Sequence, residues 1–261
     1  MNRATLVAAV LGLCAAADAG RAEDWTVLKG KHFVIHFRQT SQAASEVLQQ
    51  AEDDYARIAD QLGYARRESF WLWEHRVHIF LYRDRAEFVR STGAPGWAAG
   101  KASQRRREIS GFEGSGGFAS SVLPHEIAHL VFRDFVGFTG EVPLWLDEGV
   151  AQWVQPPERS GTLRSVKDLA ARGLILPLQD LLAMDVRTVR DIELAQRFYA
   201  ESVSLVGYLV EQGGAEKFAK LCRQLRDGKS MDDALKFTYP GSLDSIDALE
   251  TNWRRSLGGT H

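Results

Sequence analysis

The chain has few cysteines, no long apolar run beyond its N-terminal segment, and no excess of either charge. Only two cysteines occur among 261 residues, too few for a fold built on a disulfide framework. Lysine and arginine together number 32, against 34 aspartates and glutamates. This balance predicts no affinity for nucleic acid and none for a membrane surface. The absence of a further apolar run excludes a membrane span outside the N-terminal segment.

The N-terminal segment has the pattern of a secretory signal peptide. A positive start, a short apolar stretch and a run of small residues follow one another. Cleavage after Ala22, or alternatively after Ala19, satisfies the small-x-small rule. We therefore expect residues 1–22 to be a signal peptide, and the mature protein to be periplasmic or secreted without stable membrane insertion. Cys14 leaves with this segment, so the remaining Cys222 can form no internal disulfide.

A five-residue segment indicates a metal site. Residues 125–129 read HEIAH, and positions i and i+4 of a helix lie on one face. The imidazoles of His125 and His129 can therefore bind one metal ion. Glu126 can reach a water on that metal without being a ligand itself. This pattern predicts a zinc-binding helix with a carboxylate beside the metal.

Glu148 is the predicted third ligand. Eighteen residues separate it from His129, and the signals between them predict a helical hairpin. Ser121 is the expected N-cap of the first helix, Gly137 suits its C-terminal cap, and Pro143 suits the first turn of the second. The chain moves away by about 10 Å and returns by about 8 Å, so Glu148 comes back beside the histidines. Two imidazoles and one carboxylate leave one position of a tetrahedral zinc ion open, as in catalytic sites.

Hydrophobic periodicity predicts an α+β fold over the rest of the chain. The expected strands are 33–37, 76–82 and 106–112, the last weakly hydrophobic and therefore assigned to a sheet edge. The expected helices outside the hairpin are 43–62, a short one from Asp84 to Arg90, 165–172, 177–184, 192–211, 215–226, 231–237 and 243–255. We predict one domain over residues 23–261. Its parts are an α/β part (23–118), the zinc helices (119–155) and a helical part (156–261).

The two zinc segments resemble those of the gluzincin metallopeptidases. That family includes the membrane alanyl aminopeptidases, and the chain is most similar to its small bacterial peptidase MA-like members. The segments that carry the resemblance are HEIAH at 125–129, WLDEGVA at 145–151, HFVIHF at 32–37, WAAG at 97–100 and YAESVSLVGYLVEQGG at 199–214. Together they span roughly residues 25 to 255. One position departs from the pattern, because some gluzincins have a carboxylate four residues after the third ligand, where this chain has Gln152.

The resemblance implies a zincin-like fold and zinc-dependent hydrolysis of peptide bonds. It implies that Zn²⁺ is bound by His125, His129 and Glu148, with a small mixed sheet before the zinc helices and a helical lobe after them. It also implies that Glu126 is the general base. In this mechanism a zinc-activated water attacks the amide carbonyl, and Glu126 passes the proton to the leaving amine.

A further donor is expected for the oxyanion that forms during hydrolysis. Similar aminopeptidases use a tyrosine downstream of the zinc helices, which implies Tyr199 as a catalytic residue, with Tyr208 as the alternative. The predicted edge strand at 106–112 would bind an extended peptide by strand addition.

Two other functions stay open beside the peptidase. One is a zinc amidohydrolase that acts on a cell-wall peptide or another amide of the cell envelope. The other is a catalytically silent metal-binding interaction module, although Glu126 argues against it because a structural metal site needs no such carboxylate. The expected partner is a peptide or protein substrate, and the oligomeric state is left open. The choice between exopeptidase and endopeptidase is also open, with Glu113 and Glu141 as the nearest candidates for binding a substrate amino terminus.

Three more histidines lie on predicted strands. His32 and His36 share one face of the first strand, and His78 lies on the second. They could form a second metal site, or they could be solvent-facing or hydrogen-bonded strand residues, which we favour.

Overall fold

The structure is a computed structural model that describes residues 25–38, 40–63, 71–96, 98–113, 117–138 and 141–258, without the side chains of Trp73 and of residues 156–160. The expected signal peptide, residues 1–22, lies outside this part of the chain. The described chain is α+β, in agreement with the zincin-like fold expected from the sequence. Its strands are β1 (Thr26–Lys29), β2 (Phe33–Phe37), β3 (Val77–Tyr82), β4 (Gly100–Ser103) and β5 (Glu108–Phe112).

Ten α-helices occur in the described residues, most of them after the last strand. They are α1 (Ser41–Gln61), α2 (Arg85–Thr92), α3 (Leu123–Val136), α4 (Leu144–Trp153), α5 (Pro156–Ala171), α6 (Leu178–Ala183), α7 (Ile192–Glu211), α8 (Gly214–Arg226), α9 (Met231–Thr238) and α10 (Ile246–Ser256). None of these helices is both long and apolar enough to cross a membrane.

Contacts divide the chain into two compact units, the first of which contains the sheet. Its described residues fall within Met1–Arg57 and Arg66–Leu130. The strand order is β1-β2-β3-β5-β4. Strands β2, β3 and β5 run parallel, and β1 and β4 pair antiparallel at the two ends. Fully buried side chains of β2 and β3, among them Phe33, Ile35 and Ile79, form the core on one face.

The assignment of 106–112 to the edge of the sheet is wrong. Strand β5 lies between β3 and β4, where Ile109 pairs with Ile79 on one side and with Ala102 on the other. The edge is β4, a short polar strand of sequence GKAS. Its sequence has no hydrophobic alternation, so only its pairing with β5 reveals it as a strand.

The second compact unit is helical and covers Ile58–Ala65 and Val131–His261. Helix α7 packs along α4 and α5, and α8 packs against α7 and α9. The boundary between the units falls inside α3, after Leu130. The expectation of one domain with three parts stays a prediction.

Periodicity predicted the long elements well and the start of α5 badly. Strand 33–37 and helix 192–211 have the predicted bounds, and Asp84 caps α2 by accepting from the Glu87 amide at 2.8 Å. Helix α5 starts at Pro156, well before the predicted 165. The adjacent prolines suit a first helical turn, because an N–H there has no partner within the helix.

Candidate metal centre

Helix α3 begins as the continuation of a π-helical turn, Phe118–Val122. The predicted N-cap at Ser121 is therefore wrong. Both the Ser121 amide and the Val122 amide donate to the Gly117 carbonyl, at 2.9 and 3.1 Å. Because the turn supplies these backbone bonds, no capping side chain is needed before His125.

Two glycines bring the end of the sheet against this turn. A side chain on Gly111 of β5 would overlap the ring of Phe118, and one on Gly100 of β4 would overlap Val122. The edge strand β4 thus packs against Val122, which lies three residues before His125 in the chain. The sequence of the sheet allows this close approach only because both positions lack a Cβ.

The hairpin between α3 and α4 ends and restarts close to the predicted positions. Gly137 has a φ of +81°, the left-handed conformation expected at the end of α3, and its amide donates to the Arg133 carbonyl at 2.9 Å. Pro143 directly precedes α4 rather than lying in its first turn. Its carbonyl accepts from the Leu146 and Asp147 amides, both at 3.0 Å.

The three predicted ligands lie together on α3 and α4. The ligand atoms of His125, His129 and Glu148 are all within 4.8 Å of one another. The Nε2 atoms of the two histidines are 3.1 Å apart, and all three residues are 2–3% exposed. Two imidazoles and one carboxylate are the donor set of a catalytic zinc site, so these residues fit that metal. This group could therefore hold a metal ion.

An ion pair joins the two helices beside this group. Nη2 of Arg133 donates to Oδ2 of Asp147 at 2.6 Å, and Nε donates to Oδ1 at 3.3 Å. Arg133 follows His129 by one helical turn, and Asp147 directly precedes Glu148. The carboxylate of Asp147 is fully buried.

The charge of the third candidate ligand acts on one tyrosine of α7. Burial raises the pKa of Tyr199, and the Glu148 carboxylate raises it further. Tyr208 lies nine residues later, on the opposite face of the helix at about 100° per residue. Burial also raises the pKa of Tyr208, but the charges that act on it are those of Arg255 and Glu211. The Glu148 charge therefore acts on the pKa of Tyr199, whereas the pKa of Tyr208 responds to other charges.

The chain matches the model of one known family. The family model described as "Peptidase MA superfamily" matches residues 75–259. The chain belongs to the peptidase MA superfamily. A sequence search of curated proteins finds no match.

Membership of the peptidase MA superfamily indicates a metallopeptidase-like hydrolase. The matched range contains α3, α4 and α7, and with them the candidate ligands, Glu126 and Tyr199. It leaves out β1, β2 and α1. The part of the chain that carries the candidate chemistry is thus the part that the superfamily shares.

His36 on β2, His78 on β3 and His32 just before β2 are hydrogen-bonded, as the favoured interpretation expected. The Glu52 carboxylate accepts from the His32 amide at 2.8 Å and lies 2.6 Å from its ring Nδ1. His36 and His78 share a hydrogen bond of 2.8 Å between ring nitrogens. In the described chain these histidines belong to no group of three metal-ligating side chains.

Sequence reasoning missed three residues around the candidate centre: Arg133, Asp147 and Gly149. The signal for the first two was present, since a basic residue one turn after His129 faces an acidic residue beside Glu148 across the predicted hairpin. Gly149 gave no such signal, because it matters only through the close approach of Ser202 on α7, where a Cβ would clash.

Proposed function

We propose that this protein is a zinc-dependent metallopeptidase that hydrolyses peptide bonds. The observation that carries the proposal is the buried group of His125, His129 and Glu148, with ligand atoms within 4.8 Å of one another. Membership of the peptidase MA superfamily supports a hydrolase of this kind. The nearly neutral charge of the chain supports a peptide or protein substrate rather than nucleic acid.

Glu126 is the general base in this proposal. Zinc, when bound, lowers the pKa of a water to about 7 and polarises the substrate carbonyl. Glu126 directly follows His125 on α3 and is 4% exposed, so it is shielded from bulk water. It accepts the proton of the attacking water and delivers it to the leaving nitrogen.

Tyr199 is the proposed donor to the oxyanion. A phenol must keep its proton to donate a hydrogen bond, and burial together with the Glu148 carboxylate raises the pKa of this one. Tyr199 therefore stays protonated across the working pH range of a hydrolase. Its hydroxyl stabilises charge that develops only as the carbonyl is attacked.

Strand β4 is the proposed edge for substrate binding. It ends the sheet on the side of β5, and Gly100 at its start packs against Val122 just before the metal helix. An extended peptide that pairs with this edge would form main-chain hydrogen bonds whatever its sequence. This proposal replaces the earlier expectation for 106–112.

We also propose that the mature protein is periplasmic or secreted. The pattern of residues 1–22 supports export. A zinc site of histidine and carboxylate ligands suits an oxidising compartment, because it contains no thiol to oxidise.

The test combines metal analysis with a peptide-library screen on purified protein. We expect one zinc per chain and cleavage of peptide bonds by the wild type. Glu126→Gln should keep the zinc and lose about 10²–10⁴-fold in turnover. Asp134→Asn, on the same helix but outside the ligand group, is the matched control and should cleave like the wild type.

Three results would overturn the proposal. A wild type that stays folded in zinc-containing buffer and binds no metal would remove the metal centre. Full turnover in Glu126→Gln would remove the general base. Cleavage of cell-wall peptides or simple amides alone, with none of the library cut, would replace the peptidase by an amidohydrolase.

A further inference from the structure

The ion pair between Arg133 and Asp147 occupies a particular place in the hairpin. Arg133 lies one turn after His129 on α3, and Asp147 directly precedes Glu148 on α4. The pair therefore joins the two helices at the residues next to the candidate ligands. Two hydrogen bonds, of 2.6 and 3.3 Å, give it a defined orientation.

The burial of Asp147 makes this pairing necessary. Its side chain is fully buried, and a buried carboxylate without a compensating partner is strongly unfavourable. Arg133 supplies that partner, and its planar guanidinium can donate to both carboxylate oxygens. A shift of α4 along or around α3 would break this two-point contact, so the pair resists the motions that would move Glu148.

We propose that Arg133 and Asp147 are positioning residues that set the Glu148 carboxylate against His125 and His129, and so determine the affinity of the site for zinc. This inference rests on the proposed zinc site. It assigns neither residue a contact with metal or substrate. Residues that orient metal ligands in this way are typically worth about 10–100-fold in metal affinity.

A matched control separates positioning from general stabilisation. Arg226 of α8 also binds α3, because its Nη1 donates to the Val136 carbonyl at 2.6 Å. Like Arg133, it contacts α3 through its guanidinium. Its contact lies at the C-terminal end of α3 and involves neither Asp147 nor Glu148. A variant at Arg226 should therefore lower stability without changing the ligand geometry.

The experiment compares Arg133→Met, Arg133→Lys, Asp147→Asn and Arg226→Met with the wild type and with Glu148→Gln. Zinc Kd is measured by chelator competition, the melting temperature is measured on metal-free protein, and Co²⁺-loaded protein gives an absorption spectrum that reports ligand geometry. We expect Arg133→Met and Asp147→Asn to bind zinc about 10–100-fold more weakly and to change the cobalt spectrum. Arg133→Lys should lose less zinc affinity, and Arg226→Met should keep both the zinc affinity and the cobalt spectrum of the wild type.

The outcomes distinguish this inference from the proposed function. Weak zinc binding in Glu148→Gln together with wild-type affinity in Arg133→Met and Asp147→Asn would overturn the positioning role alone. An equal loss of affinity in Arg226→Met would show that general stability explains the effect, and would overturn it as well. Zinc affinity unchanged in Glu148→Gln would overturn the metal site and the positioning role together. Asp147→Asn preserves side-chain volume, so it gives a result even if Arg133→Met does not fold.

Discussion

Gly149 of α4 meets the backbone of Ser202 of α7. A Cβ on Gly149 would lie 2.8 Å from the Ser202 carbonyl oxygen and 2.8 Å from Cγ2 of Val206. Neither the carbonyl nor the branched side chain can move away easily, so the helices approach this closely only because the residue after Glu148 lacks a side chain. The same contact holds the helix of Tyr199 against the helix of the third ligand.

Gly149→Ala should destabilise the protein by about 1–3 kcal/mol, the usual cost of overpacking. The matched control is Gly207→Ala at the same pair of helices. A Cβ there would lie 3.2 Å from Nε1 of Trp153, a looser contact, and with a side chain rather than with backbone. Since alanine favours a helix over glycine by about 1 kcal/mol, Gly207→Ala should be close to neutral. Urea unfolding measures both, and equal stability of the two variants would contradict the argument.

Tyr199→Phe should lower kcat by about 10²–10³-fold and leave KM nearly unchanged, because an oxyanion donor acts in the transition state. Tyr208→Phe, which lies on the opposite face of α7, is the control and should keep its rate. Steady-state kinetics on the best library substrate measure both. A large loss in Tyr208→Phe with none in Tyr199→Phe would move the role to Tyr208.

Removing zinc should lower thermal stability. A ligand that binds only the folded state stabilises it by about 2.7 kcal/mol at a hundredfold excess over Kd. We expect a chelator to reduce the melting temperature of the wild type and added zinc to restore it. His129→Ala should show no such shift in either direction. A zinc-dependent shift that survives in His129→Ala would place the bound metal elsewhere.

Stability should fall as the pH rises from about 4.5 to about 7 because of Glu201. Burial raises its pKa from 4.5 to about 7, although the Leu176 amide donates to it and the charges of Arg197 and Arg254 act the other way. Between pH 4.5 and about pH 7, the folded state therefore keeps a proton on Glu201 that the unfolded chain has already released. The contribution of this proton to stability is complete below pH 4.5 and is lost by about pH 7.

Glu201→Gln removes this pH dependence. The amide resembles the protonated acid, so the variant should gain on the wild type as the pH rises, by about 3 kcal/mol at most. Glu211→Gln is the control, because it lies on the same helix but is exposed. Urea unfolding from about pH 5 to about pH 8 measures the slope. An identical slope in the wild type and Glu201→Gln would show that another group titrates.

The export proposal has a direct test by mass. The secreted protein should begin after Ala22 or Ala19 and carry no lipid. Intact-mass measurement of the protein recovered from the periplasm or the medium gives its first residue. A lipid adduct on Cys14 would instead make the protein membrane-anchored.

The sequence predicted what depends on short-range geometry. The spacing of His125 and His129 is itself a statement about one helix face, and the signals at Gly137 and Pro143 describe a hairpin. The structure accordingly brings His125, His129 and Glu148 together. The roles of these residues as ligands, and of Glu126 and Tyr199 as catalytic residues, stay predictions.

What the sequence could not reveal depends on distant partners. The segment Gly100–Ser103 forms a strand because β5 pairs with it. Since the sequence does not reveal β4, it predicts an edge position for β5, which is an interior strand. Ser121 resembles an N-cap, but the π-helical turn before α3 satisfies the backbone in another way. Helix α5 begins at Pro156 rather than at the predicted 165, because the first turn of a helix accepts proline.

The π-helical turn from Phe118 to Val122 has a consequence for reading related sequences. Such a turn holds one residue more per hydrogen-bonded ring than an α-helical turn. Deleting a residue such as Ser120 would rotate the preceding chain by about 100° about the helix axis. The Phe118 ring would then no longer pack over Gly111, although the sequence HEIAH would be unchanged. The number of residues between Phe118 and His125 is therefore as informative as the motif itself. It determines whether the helix that carries the two histidines keeps its orientation relative to the sheet.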